Sequence, residues 1–298
     1  MDRSKRLLFI VNPNAGMAKK EGIFVSIVSV FQKYGYETVL MFTQKSGDAT
    51  EFVVEHANDD IDMVVCMGGD GTLNETFAGA REIGWMKPIG YLPAGSTNDF
   101  AQSLGLPEDL VEAAEKIMTG TPRMLDLGSF NGRVFVYTAA CGLFSNTSYE
   151  TPQNIKNKLG HLAYILEGVK DFTQFKPVYL KIDTPKQRIE DNFIFVAICN
   201  TFSIGGVMKL GQDSVELNDG EFELLAISMP RNAMQLSSIV KALLDQNYDE
   251  TDLVQFVKIS EATILYPRPE DWSLDGERGI GRETNRFKVI PDAVSLIY

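Results

Sequence analysis

The sequence predicts two domains of different class: an α/β domain built on a parallel sheet with helices on both faces, then a mostly antiparallel β domain. Three observations predict this. Short apolar runs alternate with helical patterns over about the first 100 residues, the rhythm of βα units. Each of those runs ends in a loop rich in Gly, Ser, Thr, Asn or Asp. From about residue 125 the runs become rich in β-branched and aromatic residues, and several alternate apolar with polar. A chain of 298 residues also fits two domains at roughly 100–200 residues each.

Leu7–Val11 reads as the first strand and is followed by "NPNAG". Residues 21–34 suit a helix, with Phe24, Ile27, Val28 and Phe31 on one face. Glu37–Phe42 is the second strand, ending in "TQKSGDA", and residues 49–57 suit a second helix that carries Phe52 and Val53. Met63–Met67 is the third strand. "GGDGT" follows it, and Thr72–Arg81 can start a helix. "PIGYLPAGSTNDFAQSLG" supplies a fourth strand and a further helix. In a parallel sheet the loops at the C-terminal strand ends share one edge, where ligands bind.

The change of rhythm places a boundary near "TPRMLDLG", giving domains 1–124 and 125–298. In the second, "RVFVYTAACGLF", "PVYLKID", "NFIFVAICN", "EFELLAIS", "FVKISEATILYP" and "RFKVIPDAVSLIY" read as strands, with helical stretches near 156–172 and 232–246.

Hydrophobic content of 44% and charged content of 23% are those of a globular protein. The net charge is −12, and residues 1–125 and 126–298 carry −6 each. Evenly spread acidity argues against nucleic acid as a partner, because a phosphate backbone needs a basic stripe. Cys66, Cys141 and Cys199 lie far apart in apolar runs, which reads as buried thiols in a reducing cytoplasm without zinc spacing. The run Leu7–Val11 is too short for a signal-peptide core, and no run approaches the ~18 residues of a membrane span.

The stretch "MGGDGTLNET" carries the most chemistry. Strand, glycine turn and helix is the arrangement that holds phosphate in α/β proteins. A plain turn capped by Asp70 or Thr72 would look the same at this one loop, but four polar loops along one edge favour phosphate. No G-x-x-x-x-G-K-[ST] is present and no G-x-G-x-x-G opens a helix, so the donors must be backbone N–H groups and hydroxyls. Gly68, Gly69 and Gly71 let backbone approach phosphate. Asn12, Gly16, Ser96 and Thr97 can add neutral donors. Asp70 shares the sign of a phosphate and is expected to act through a metal or a bridging water.

"VNPNAG", "GGDGTLNE", "PAGSTNDFA", "LNDGEFEL" and "WSLDGE" occur in that order over essentially the whole chain. Together they resemble the soluble bacterial lipid kinases of the diacylglycerol kinase catalytic-domain superfamily, to which sphingosine and ceramide kinases also belong. "GGDGT" alone is shared with NAD kinases and phosphofructokinase-like enzymes; the ordered set and the C-terminal "DGE" are specific. The resemblance implies a doubly wound, Rossmann- or phosphofructokinase-like ATP-binding domain and a β-sandwich lipid domain, with the active site between them. It implies ATP contacts at Asn12, Pro13, Asn14, Ala15, Gly16, Thr43, Gly68, Gly69, Asp70, Gly71, Thr72, Leu73, Asn74 and Ser96. It implies Glu277 as proton acceptor, and a structural Mg2+ held by Asp219, by Glu216 where relatives often have a neutral hydroxyl residue, and by the backbone of Glu221.

Asp275 and Glu277 stand two apart in "DWSLDGERG". On a strand they would share a face, and with Gly276 between them a turn is equally consistent. The resemblance makes Glu277 the catalytic carboxylate, with Asp275 and Asp70 as its polar and metal-linked support. His56 and His161 fall in no motif. In "KNKLGHLAYILEGVKDF", Leu159, Leu162, Ile165, Leu166 and Val169 have helical spacing, which reads first as a packed helix. Lys156, Lys158 and Lys170 there, and Lys19 with Lys20, could meet anionic head groups. The expectation is a cytoplasmic kinase, peripheral to the inner face of the membrane and with homodimerisation possible. It would phosphorylate a lipid alcohol, diacylglycerol first and a sphingoid base or monoacylglycerol next. From another class, a nucleotide-binding regulator without turnover is the alternative, and the intact Asp70 and Glu277 speak against it.

Overall fold

The computed structural model describes residues 4–19, 22–58, 60–142, 176–201, 203–204, 208–209 and 216–298. It forms two units, one of residues 1–126 with 291–298 and one of residues 127–290.

In the first unit the alternation of apolar runs and helical patterns becomes β1 (Lys5–Val11), α1 (Ile23–Lys33), β2 (Tyr36–Phe42), α2 (Asp48–His56), β3 (Met63–Gly68), α3 (Asp70–Glu82), β4 (Ile89–Pro93), α4 (Asp99–Ser103) and α5 (Leu110–Thr119). The strands run parallel in the order β2-β1-β3-β4. β1, β3 and β4 are buried on both faces, which is why they read as continuous apolar runs rather than alternating ones. On one face Leu7, Phe9, Val11 and Met67 pack with Ile27 and Phe31 of α1 and Ile117 of α5. α2 and α3 pair over the other, where Leu8, Ile10, Val64 and Cys66 are fully buried. Gly79 permits that pairing: a Cβ there would come within 2.8 Å of the Thr50 carbonyl.

The end of β17 (Thr284–Ile297) completes this sheet, with Leu296 beside Ile89 and Ile297 beside Gly90 in parallel register. The sequence division at 124/125 places residues 291–298 in the second domain. Their apolar run belongs to the first unit because a parallel neighbour of β4 needs no adjacency in the chain.

The second unit holds the end of β5 (Pro122–Phe130), β6 (Arg133–Phe135), β7 (Thr138–Gly142), β8 (Val178–Asp183), β9 (Arg188–Cys199), β10 (Ser203–Ile204), β11 (Met208–Lys209), β12 (Phe222–Ser228), α6 (Ala233–Asp245), β13 (Val254–Ile259), β14 (Glu261–Leu265), β15 (Trp272–Leu274), β16 (Glu277–Gly279) and most of β17. Its pairings are antiparallel. β9 is the branch point. Its first half pairs β8, and its second half lies between β7 and β12. A strand with different partners along its length folds the sheet over itself into a β-sandwich, and an aromatic core fills it. Phe222 lies 5.8 Å from Phe135 edge-on and 5.6 Å from Phe287, and Phe130 lies 4.8 Å from Trp272. The expected helix near 156–172, with Lys156, Lys158, Lys170 and His161, lies outside the described residues, as does Lys20.

Candidate functional site

In the first unit the loops at the ends of β1, β3 and β4 are stitched together through the backbone. Asn12 N donates to the Met67 carbonyl at 2.8 Å, Ala94 N to Gly68 at 2.8 Å, and Met17 N to Ala94 at 3.0 Å. Thr43, after β2, donates its N–H to Val11 at 2.9 Å. Asn12 folds its own loop by accepting the Asn14 N–H on Oδ1 at 3.0 Å. The polar letters of the motifs do similar work. Asn98, at φ 52°, accepts from Gly95 N at 2.9 Å and donates to the carbonyls of Pro93 and Gly95. Glu75 accepts from Ser46 Oγ, Gly47 N and Ala49 N at the start of α2. Asp48 accepts from Gln44 N and Lys45 N, bonds that hold its carboxyl below the usual carboxylate range.

α3 opens into this edge from Gly69, with no side chain capping it. An uncapped helix start presents N–H groups and the positive end of the helix dipole, the elements of an anion site. The glycines differ in what they permit. A Cβ on Gly68 would overlap Thr72 at 2.3 Å, and one on Gly95 would sit 2.6 Å from Gly69 Cα, so both are needed for packing. A Cβ on Gly69 would meet nothing closer than 3.5 Å, so its bareness is available to a ligand.

The expected ATP residues divide accordingly. Asn14, Gly16 and Ser96 are exposed, and Asn12, Pro13, Gly69, Asp70, Gly71 and Asn74 are partly so. Thr43, Ala15, Gly68, Thr72 and Leu73 are buried. Ala15 lies in the core cluster and Leu73 is 1% exposed, so neither presents a side chain to a ligand. Asp70 was expected to work through a metal or water; its carboxylate accepts from Asp99 N at 3.0 Å and Phe100 N at 3.4 Å, at the start of α4.

In the second unit Asp275 and Gly276 form the two-residue turn of the β15–β16 hairpin, both at positive φ, 49° and 85°. That is the geometry Asp-Gly favours, and it settles turn against strand for "LDGE". The turn separates the two acids. Asp275 is 8% exposed and accepts from Val136 N at 2.6 Å and from Tyr137 N and Thr138 N at 3.0 Å. Its own N–H donates to Thr138 at 2.9 Å. Asp275 thereby binds the hairpin that carries Glu277 to the β6–β7 connection. The Glu277 side chain is 55% exposed and forms an ion pair with Arg133, whose Nη1 also donates to the Arg278 carbonyl at 2.8 Å.

The loop before β12 bends at Gly220, φ 76°. Asp219 accepts the Glu221 N–H on Oδ1 at 3.0 Å, and Lys258 Nζ stands 2.6 Å from Oδ2. The Glu221 carboxylate pairs with Lys186 at 2.6 Å, and Glu216 is exposed. Glu223, which lies within "LNDGEFEL" but has no role in the sequence reading of that motif, is 1% exposed, and neither carboxylate oxygen has a hydrogen bond. Burial pushes its carboxyl up to about 8 against the pull of Lys258, 3.9 Å away. No group of three or more His, Cys, Asp or Glu side chains is poised for a metal among the described residues. The oxygen chemistry of the loop and the orphaned carboxylate beside Asp219 nevertheless fit a hard divalent cation. One signal of Glu223 was in the sequence: an acid inside the apolar strand "FELLAI".

Comparison with known proteins matches the chain in two consecutive stretches. Residues 6–130 match the diacylglycerol kinase catalytic domain, and residues 142–298 match the YegS C-terminal NAD kinase beta sandwich-like domain. A diacylglycerol kinase of Bacillus subtilis is 31% identical over 92% of this chain and 90% of its own length. One of Staphylococcus epidermidis is 32% identical over 92% and 86%. A solved diacylglycerol kinase structure from Bacillus anthracis shares the fold, with a TM-score of 0.79 at 23% identity over 100% of this chain and 98% of the other.

Proposed function

From the fact that the chain belongs to the diacylglycerol kinase family and is a lipid kinase, we propose that it transfers the γ-phosphoryl group of ATP to the primary hydroxyl of diacylglycerol, giving phosphatidic acid and ADP. The observation that carries the reading is the uncapped start of α3 at Gly69, beside the backbone-stitched loops. It supports binding of the triphosphate by neutral donors: the N–H groups of Gly69–Gly71, the loop Asn12–Gly16, and the hydroxyls of Thr43 and Ser96.

Transfer of a phosphoryl group asks little covalent chemistry of the protein, because the transition state is loose. The lipid oxygen forms a bond to the γ-phosphorus as the bond to the ADP oxygen breaks, and the hydroxyl proton leaves late. Glu277 is assigned to orient that hydroxyl and take the proton. The ion pair to Arg133 engages Oε2, and Oε1 is the oxygen that accepts. Asp70, fixed by two amides, is assigned a supporting role on the nucleotide side. Magnesium, when bound, screens charge on the phosphates, and a structural cation is assigned to Asp219 with Glu216 and the backbone of Glu221. Access to the lipid is assigned to transient contact with the cytoplasmic membrane face. No helix among the described residues is long and apolar enough to cross a membrane.

The test is γ-labelled ATP with purified protein and a panel of lipid alcohols in mixed micelles, NAD included. Label in phosphatidic acid, with ATP consumed only when lipid is present, is the expected result. Preferential labelling of a sphingoid base or a monoacylglycerol would replace the substrate, and ATP binding without turnover on any alcohol would overturn the reading.

A further inference from the structure

We propose that Glu223 is a carboxylate ligand of the cation site anchored by Asp219, and that Lys258 is an internal ammonium that gives way when the cation binds. This rests on the reading above that the loop at 216–221 holds a structural divalent cation.

Glu223 cannot move away from its position. It lies within β12, paired to Lys258 of β13 on one side and to Cys199 of β9 on the other. Phe222, Leu224 and Ala226 alternate into the aromatic core, so Glu223 is turned to the opposite face, toward Lys258. There it is almost wholly removed from water, yet both oxygens lack a hydrogen bond. Ionising a carboxyl in that condition is costly, and it becomes favourable where a positive partner offsets the burial.

The positive charge at hand is insufficient. Lys258 Nζ gives its short contact to Asp219 at 2.6 Å and remains 3.9 Å from Glu223, beyond hydrogen-bonding range. Asp219 and Glu221 both repel Glu223. One ammonium thus serves two carboxylates in a locally negative pocket. Glu221 is drawn off by Lys186, which removes its carboxylate from candidacy, while Asp219 and Glu223 both approach the Lys258 ammonium and can join Glu216 around a cation there. Two carboxylates with nearby backbone carbonyls make an all-oxygen set of the kind Mg2+, Mn2+ and Ca2+ prefer. Lys258 is about one-third exposed, and its flexible four-carbon stem lets the ammonium swing to water once a divalent ion enters.

The experiment uses the full chain stripped of metal, with no nucleotide present, and Mn2+ as the probe. Binding is read by electron paramagnetic resonance and by the Mn2+-dependent rise in Tm, for the native chain and for Asp219→Asn, Glu223→Gln and Lys258→Met. Glu223→Gln is expected to weaken Mn2+ binding at least tenfold without lowering the Tm of the metal-free protein, since the buried carboxyl it replaces makes no hydrogen bond. A residue that merely supports the fold would lower it. Lys258→Met is expected to tighten Mn2+ binding and lower the metal-free Tm. If Asp219→Asn abolishes binding but Glu223→Gln binds as the native chain does, Glu223 is no ligand and the cation loop stands without it. If the native chain binds no Mn2+, or Asp219→Asn binds it unchanged, the cation loop itself fails and this proposal with it. A lower metal-free Tm for Glu223→Gln, or unchanged affinity in Lys258→Met, also overturns the proposal.

Discussion

The two units handle charge in opposite ways. In the first, the acids of the motif loops are consumed by backbone donors: Asp48 by Gln44 and Lys45, Asp70 by Asp99 and Phe100, and Glu75 by Gly47 and Ala49. Their charge builds the loops, and the start of α3 has no side-chain cap. In the second, carboxylates face cationic side chains, Glu277 with Arg133 and Asp219 with Lys258, while Glu223 has no hydrogen bond. The contrast teaches that an acidic residue in a glycine-rich motif can be scaffold, its charge spent on backbone amides. Asp275 and Glu277 show both cases two residues apart.

The largest expected effect tests the anion side. Gly69→Val should remove measurable ATP binding, because a side chain would cover the amides, while the fold persists since a Cβ there meets only ordinary contacts. Calorimetric titration with ATP alongside thermal unfolding checks it; a folded variant that binds ATP normally breaks the cradle assignment. Gly95→Val should instead fail to fold well, because its Cβ would meet Gly69 Cα at 2.6 Å.

Next comes the proton side. Glu277→Gln should lower kcat by about 10²–10⁴, the usual contribution of a positioned acid or base, and leave ATP affinity unchanged. Glu277→Asp should recover part of the loss. Near-normal turnover in a folded Glu277→Gln enzyme would remove the residue from the reaction.

Asp275→Ala sharpens the distinction within the hairpin. Three buried amides lose their acceptor, so destabilisation of about 3–5 kcal/mol is expected, read as a lower denaturation midpoint. A stable variant with a selective loss of kcat would make Asp275 part of the catalytic set rather than of the hairpin's frame. The smallest effect is expected from Glu75→Gln, which keeps an acceptor for the α2 start but weakens charge-assisted bonds, at about 0.5–2 kcal/mol. ATP affinity should shift only slightly; a large loss would make Glu75 part of the anion site rather than its frame.

Much of the fold was legible because its signals are local. Buried parallel strands appear as unbroken apolar runs, and the loops between them carry their turn chemistry in Gly, Asn and Asp. α5 carries local signals too, with Asp109 accepting from Val111 N and Glu112 N ahead of Leu110, Ala113, Ala114 and Ile117 at helical spacing. The hairpin turn in "LDGE" is likewise a two-residue rule, left open because the same spacing suits a strand face.

By itself the sequence determined the elements, the change of domain class and the identity of the motif loops, since periodicity, caps and turns depend on neighbours within a few residues. Tertiary structure alone decided which acids are spent. Whether Asp275 meets amides more than 130 positions away, or Glu223 meets one lysine too far to bond, depends on strand registers set by the whole core. It likewise decided that residues 291–298 join the first sheet, because a parallel partner is chosen by packing and not by closeness along the chain.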